Sequence, residues 1–290
     1  MKELLILSGK GGTGKTTIAS AFIRLAEARA YADCDVDAPN LHLVADWETE
    51  PERRDYFGLP KARIDRDLCI QCDRCYQHCR FHAIRKDDGY QVDPYACEGC
   101  AVCSYVCPAG AVTMEPSHDG ELRLYEERDL VFSTAELKMG SGTSGLLVTE
   151  VKKDLRRKAV ADFAIIDGSP GIGCPVIASL SGVDMVLIVA EPSVSGFSDM
   201  ERIIQTAARF GTKMAVCVNK SDTNPELSAE IEDYCRDRGL LFVGTIPFDS
   251  EAVKAVNRRQ TIVDIECSSG KAVREIYRRT MDALFEKEGA

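Results

Sequence analysis

Short apolar runs alternate with amphipathic stretches along most of this chain. Residues 3–8 (ELLILS) form the first run, which stops at Gly9. A glycine-rich stretch follows, and apolar positions then recur at helical spacing from residue 15 to residue 28. Residues 29–33 read as a second strand, ending in the acidic stretch DCDVDAPN. From about residue 56 to residue 116 the periodicity is lost, and cysteine, glycine and proline take over. Alternation resumes near Leu130. The pattern then predicts helix over 145–159, strands over 162–167 and 184–190, and helix over 197–210. It continues with strand over 213–218, helix over 225–238, strand over 241–245, and helices over 250–257 and 269–287. Strands alternating with amphipathic helices imply an α/β fold, a doubly wound and mostly parallel sheet covered on both faces.

The aperiodic segment interrupts that domain. The expected organisation is a discontinuous α/β domain over 1–57 and 119–290, with an inserted α+β module over 58–118. The 290 residues, 45% of them hydrophobic, suffice for such cores. The net charge of −10 argues against a nucleic-acid partner, which needs a basic face. The sequence contains no apolar stretch of the roughly 18 residues that a membrane span requires, so no membrane partner is expected. The first apolar run is too short for a signal peptide, and a cytoplasmic location is expected. In a reducing compartment clustered cysteines read as metal ligands, not disulfides. Eight of the thirteen cysteines lie between Cys69 and Cys107.

Residues 9–16 read GKGGTGKT and fit GxxxxGK[ST], between a predicted strand and a predicted helix. The backbone N–H groups of Gly11, Gly12, Thr13 and Gly14 would turn inward on phosphates, aided by the helix N-terminus. Lys15 would reach the β- and γ-phosphates, the Thr16 hydroxyl would bind Mg²⁺, and Thr17 would donate to the α-phosphate. Phosphoryl transfer also needs a metal-holding carboxylate and a group that orients water. Residues 33–40 (DCDVDAPN) and the strand end FAIIDGSPGIG at 163–173 supply carboxylates. The latter is a Walker B arrangement in which Asp167 would hold Mg²⁺, and Gly168 and Gly171 would let the loop move. Residues 219–222 (NKSD) fit the base-reading motif NKxD of GTPases, so GTP stands beside ATP at this point.

Cys69, Cys72, Cys75 and Cys79 have the spacing C-x2-C-x2-C-x3-C, and Cys97, Cys100, Cys103 and Cys107 repeat it 28 residues later. The double run resembles a bacterial ferredoxin with two [4Fe–4S] clusters. That resemblance implies that the fourth cysteine of each run ligates the other cluster. Cluster one then takes Cys69, Cys72, Cys75 and Cys107, and cluster two takes Cys97, Cys100, Cys103 and Cys79. Zinc pairs do not need this double run. Arg80 follows Cys79 where many ferredoxins have proline, which alters the surroundings of one cluster. His78 and His82 lie beside Cys79 and read as exposed or packing residues. Trp47 reads as packing or linker.

The loop KGGTGKT resembles the deviant Walker A of the MinD/Mrp/nitrogenase iron protein group. The resemblance runs through DCDVDAPNLHL, the eight-cysteine insert, IIDGSPGIGCPVIAS, EPSVSGFSDMER and NKSD, nearly the whole chain. It implies a P-loop ATPase that forms a homodimer around two nucleotides, with Lys10 reaching the partner's nucleotide. It makes Asp35 the candidate to position the attacking water, and Asp33 or Asp37 a neighbour of Mg²⁺. It makes Asn219 and Asp249 the base contacts and favours ATP. Ser169 stands where the related ferredoxin-bearing group often has proline, a change of loop stiffness. Cys174 reads either as a small buried residue opening a helix or as an interface cluster ligand. The implied function is ATP-gated electron transfer to a partner protein. The rivals are an Mrp-like cluster carrier and a MinD-like positioning ATPase. MinD uses a C-terminal membrane helix, whereas IYRRTMDALFEKEGA here reads as a helix packed on the sheet.

Overall fold

A computed structural model describes residues 1–44, 47 and 49–286. In chain order the first elements are β1 (Lys2–Leu7), α1 (Lys15–Ala26), β2 (Ala30–Asp33) and β3 (Glu52–Phe57). A small body follows: β4 (Lys61–Ile64), α2 (Arg74–His78), β5 (Ile84–Arg85), β6 (Gln91–Val92), α3 (Val102–Tyr105) and β7 (Val112–Glu115). The chain then returns through β8 (His118–Glu127), β9 (Leu130–Leu137), α4 (Ser144–Lys158), β10 (Phe163–Asp167) and α5 (Cys174–Leu180). It ends with β11 (Met185–Ala190), α6 (Val194–Ala208), β12 (Lys213–Asn219), α7 (Pro225–Asp237), β13 (Leu241–Ile246), α8 (Ser250–Asn257) and α9 (Ser268–Phe285).

Among the described residues, nine strands form one sheet in the order β13-β12-β11-β1-β10-β2-β9-β8-β3. The strands from β13 to β9 are parallel, and β8 and β3 add antiparallel pairings at one edge. The doubly wound sheet expected from the pattern is therefore present. Side chains alternate across the pleat, so Leu5 and Leu7 of β1 join one core while Leu4 and Ile6 join the other. A parallel strand buried on both faces reads as a continuous apolar run, which is why β1, β10 and β11 were legible.

The pattern did not reveal β3 and β8. β3 reads ERRDYF with Tyr56 alone buried, and β8 alternates apolar Leu122 and Leu124 with charged residues. Such strands lie at a sheet edge with one wet face, and charge on the outermost strand discourages further pairing. Trp47 is a packing residue. Its ring lies 5.1 Å from Tyr125 and 5.9 Å from Phe132. α9 buries Val273, Ile276, Thr280, Ala283 and Leu284, as expected of a helix packed on the sheet. Its predicted end at residue 287 lies outside the described residues. Among the described residues no helix is long and apolar enough to cross a membrane.

Candidate functional site

The C-terminal ends of the parallel strands gather the phosphate-loop residues. β1 hands over to the loop, which turns at Gly12 (φ 78°) and Gly14 (φ 90°) before α1 starts at Lys15. A side chain at Gly14 would collide with the Asn219 amide. That amide donates to Thr13 O at 2.6 Å and pins the loop to the end of β12. Thr17, Gly12, Gly14, Asn219, Phe248 and Asp249 line a cavity of about 390 Å³.

Lys15 is 5% exposed and pairs with Asp167, which also accepts from Thr16 Oγ1 at 2.6 Å. Burial works against the lysine's charge, but Asp167, with Asp33 and Asp35 behind it, holds its pKa above the ordinary value. Asp33 is fully buried and accepts from the N–H groups of Asp35, Asn40 and Leu41 at 3.0, 2.9 and 2.9 Å. Burial, with Asp167 nearby, pushes Asp33 up to about 7. Asp35 is half-buried, and burial pushes it up to about 6 against the pull of Lys15. Asp37 is exposed. Three carboxylates thus face one lysine. The excess negative charge beside the Thr16 hydroxyl suits a divalent cation, with Asp167 the carboxylate nearest that hydroxyl.

Lys10 is half-exposed and held within its own chain. Its Nζ lies 2.7 Å from Glu191 and donates to Ser193 Oγ at 3.2 Å. Glu191 also takes Lys220 at 3.1 Å, and Lys220 donates to Gly12 O at 2.9 Å. Burial opposes the charge of Glu191, but the two lysines hold its carboxyl below the usual range. Asp249 lines the cavity, yet its carboxylate accepts from Glu251 N, Ser268 Oγ and Ser269 N at 3.0, 2.9 and 3.2 Å. It fastens the starts of α8 and α9 together. Asp222 lies outside the cavity lining, and its carboxylate accepts from Phe248 N at 2.6 Å.

In the small body the eight cysteines sort into two crossed sets. Cys69, Cys72, Cys75 and Cys107 line one small cavity, and Cys79, Cys97, Cys100 and Cys103 line a second. The backbone repeats at the same 28-residue offset. Left-handed residues stand at Gln71 (φ 55°), Asp73 (φ 70°) and His82 (φ 52°), and again at Gly99 (φ 66°), Ala101 (φ 60°) and Gly110 (φ 62°). These turns curl each run around its cavity. Four of the six are not glycine, a local cost kept where the surroundings enforce it. Paired hydrogen bonds repeat too: Asp65 N to Ala111 O at 2.8 Å and Asp93 N to Ala83 O at 2.7 Å. Backbone N–H groups already face sulfur, Ala111 N to Cys107 Sγ at 3.3 Å and Ala62 N to Cys97 Sγ at 3.5 Å. Burial raises the Cys75 thiol, and neighbouring Cys69, Cys107 and Cys72 add to the rise. Among the described residues no three His, Cys, Asp or Glu converge as a single metal ion requires. Four thiols lining one small cavity are a donor set for a metal centre, either an iron–sulfur cluster or a single zinc.

A family model described as "CobQ/CobB/MinD/ParA nucleotide binding domain" matches residues 4–262. The chain belongs to that family. Relatives of this nucleotide-binding chain include an uncharacterized protein of Methanocaldococcus jannaschii, 29% identical over 290 residues, or 97% of each chain. An iron-sulfur cluster carrier protein of Pyrococcus abyssi is 23% identical over 99% of this chain and 88% of its own length. Among solved structures, the septum site-determining protein MinD complexed with Mg-ADP from Pyrococcus horikoshii superposes with a TM-score of 0.58. It is 17% identical and covers 98% of this chain and 97% of its own, which shows the shared fold.

Within this family member, sequence reasoning passed over Glu191, Ser193 and Lys220, which gather around Lys10. Glu191 and Ser193 belong to the segment EPSVSG that follows β11, and Lys220 to the NKSD motif at the end of β12. Ser169 does more than set stiffness: its hydroxyl donates to Cys34 O and joins the two acidic loops. Cys34 is a buried thiol pushed up to about 12 by burial. Cys174 opens α5 as the helix reading expected, but it is exposed, not buried, while Val176 two residues on carries the buried side of that turn. His82 occupies the left-handed turn position equivalent to Gly110, a backbone role.

Proposed function

We propose that this chain is an ATPase in which nucleotide state controls two [4Fe–4S] clusters and gates electron transfer to a partner protein. The observation that carries the reading is the pair of crossed four-cysteine cavities in one chain with a phosphate-loop pocket. The ATPase domain comprises residues 1–57 and 119–290, and the ferredoxin-like module residues 58–118. Cys69, Cys72, Cys75 and Cys107 would hold one cluster, and Cys79, Cys97, Cys100 and Cys103 the other. Such clusters, when bound, supply one-electron carriers.

ATP is favoured over GTP because the carboxylate a guanine would need, Asp222, is engaged by Phe248 N outside the cavity. In this reading Gly11, Gly12, Thr13, Gly14 and Thr17 cradle phosphates. Thr16 and Asp167 would hold Mg²⁺, with Asp33 shaping the loop beside it. Asn219 keeps the base pocket against the phosphate loop, and Asp249 positions its far wall. Asp35 orients a water toward the γ-phosphorus, so that the bond to the β-phosphate oxygen breaks and ADP and phosphate leave. Lys15 offsets the charge that builds on the transferring group. Lys10 leaves Glu191 and reaches the nucleotide of a second copy in a homodimer.

The test is anaerobic. Cluster potentials and reduction of an acceptor protein are measured with ADP, ATP and a non-hydrolysable analogue. Identical values in all three states reject nucleotide gating. The likeness to a cluster carrier protein favours a second reading, in which clusters are cargo. Rapid loss to a chelator and transfer to an apo-protein would support it over the first.

A further inference from the structure

The β9–α4 segment touches both halves of the molecule. Its first half lies against the second cysteine run. A Cβ on Gly140, itself left-handed at φ 83°, would stand 3.0 Å from the Tyr95 ring, and one on Gly142 would stand 3.6 Å from Glu98 Oε2. Tyr95 and Glu98 flank Cys97. Its second half lies against the nucleotide switch. A Cβ on Gly145 would stand 3.1 Å from both Cβ and O of Cys174, the first residue of α5. The loop 168–173 between Asp167 and Cys174 is held to the phosphate-loop strand by Gly168 N to Ile6 O at 2.9 Å and Gly171 N to Ser8 O at 3.0 Å.

Between these two contacts sits a buried polar joint. Thr143 caps the start of α4, but its hydroxyl makes no capping bond. Thr143 and Asp119 are 6% and 3% exposed, and Thr143 Oγ1 and Asp119 Oδ2 have no hydrogen-bond partner among the described residues. Both atoms crowd the same point: a Cβ on Gly58 would lie 2.7 Å from Thr143 Oγ1 and collide with Asp119 Oδ2. Gly58 follows β3, the strand that enters the cysteine module, and Asp119 lies in β8, the strand that leaves it. Tyr56 OH donates to Thr143 O at 3.4 Å, and Lys138 N donates to Asp119 O at 2.7 Å. Two adjacent buried oxygens, one able to donate to the other, are left unpaired in this arrangement. A turn of Thr143 that brought its hydroxyl to Asp119 Oδ2 would satisfy both atoms.

We infer that residues 138–145 are the mechanical coupler between the nucleotide switch and the Cys79, Cys97, Cys100 and Cys103 site. This rests on the cluster reading proposed above. Loss or gain of the γ-phosphate moves the loop 168–173, Cys174 pushes or releases Gly145, and Thr143 switches between unpaired and Asp119-bonded positions. Gly140 and Gly142 then change their seat on Tyr95 and Glu98. The inference is asymmetric, because the contacts described fall on the second cysteine run. Only the cluster held by Cys97 should respond to nucleotide. Thr143, Gly145 and Asp119 are positioning residues in this scheme.

The test uses the full chain with clusters reconstituted anaerobically, free and with a non-hydrolysable ATP analogue. Redox-monitored EPR follows each cluster, and hydrogen exchange follows residues 138–145. The analogue should change exchange across 138–145 and shift the potential of one cluster only. A Cys107→Ala chain, which keeps the Cys97 cluster, should retain that shift. Thr143→Val and Gly145→Ala should lose most of the shift while nucleotide affinity stays at the wild-type value, and Thr143→Ser should restore it. A shift that survives both variants, or unchanged exchange across 138–145 in the wild type, overturns the coupler and leaves ATP gating standing. Potentials and exchange that both ignore nucleotide overturn the two together.

Discussion

The hydroxyl of Ser169 donates to the carbonyl oxygen of Cys34, and Cys34 N donates back to Asp167 O at 2.8 Å. The two acidic loops of the phosphate site are therefore stitched side by side at the ends of β2 and β10. Ser169→Ala leaves a buried carbonyl with one donor fewer. A bond of this kind contributes about 1 kcal/mol net. The variant is expected to lose about that much stability in urea denaturation, with nucleotide affinity less affected than hydrolysis. A stability unchanged from wild type would mean the bridge is not made in solution.

Lys15 and Asp167 form a buried pair, 5% and 0% exposed. Removing one partner from such a pair costs about 3–5 kcal/mol, because the other charge stays buried and unpaired. Lys15→Met should therefore destabilise the nucleotide-free protein by that order. Lys15→Met combined with Asp167→Asn should recover most of the loss. Both variants should fail to bind nucleotide in equilibrium dialysis. A double variant as unstable as the single one would show that the cost lies in packing, not charge.

The parts of this site that sequence alone made legible are those whose geometry is local. The run GKGGTGKT dictates its own turn, and the repeated cysteine spacing marks the two runs, whereas the exchange of their fourth cysteines was legible only through the resemblance to bacterial ferredoxins. Glu191 was silent because its meaning depends on Lys10, far away in sequence and brought near only by the neighbouring strands β1 and β11. Asp249 was assigned a base contact, yet its carboxylate is taken by the starts of two helices whose meeting no local pattern encodes. β3, the edge strand, and β8 beside it escaped because a strand with one wet face lacks the unbroken apolar run of β11.

The crossing of the cysteine runs makes a prediction about pairs. If Cys107 serves the cavity of Cys69, Cys72 and Cys75, then Cys69→Ala and Cys107→Ala damage the same cluster. Their combination should keep the other, leaving about four of about eight irons per chain. Cys69→Ala with Cys79→Ala should damage both clusters and leave close to none. Iron and sulfide analysis after anaerobic reconstitution distinguishes the two pairs. The reverse result, with Cys69 and Cys79 retaining a cluster between them, would mean that each run serves itself.

Lys152 sets a pH dependence for the frame that carries α5. Its ammonium is 3% exposed and donates to Ser179 O at 2.5 Å and Ser181 O at 2.8 Å, at the end of that helix. Burial pushes its pKa from 10.5 down to about 8, against the pull of Glu3 and with a small push from Arg156. Below pH 8 the lysine is charged in both the folded and unfolded chains, and the cost of the buried charge is fully felt. Between about 8 and 10.5 the unfolded chain holds more protons than the folded one, so this group makes stability rise with pH. The slope it adds is at most about 1.4 kcal/mol per pH unit. Lys152→Met removes the titration but leaves the carbonyls at the end of α5 without their donor. Urea denaturation from pH 7.5 to pH 9.5 should therefore show a positive difference in slope between the wild type and this variant. Parallel curves would mean that Lys152 keeps an ordinary pKa and that its carbonyl partners fully replace water.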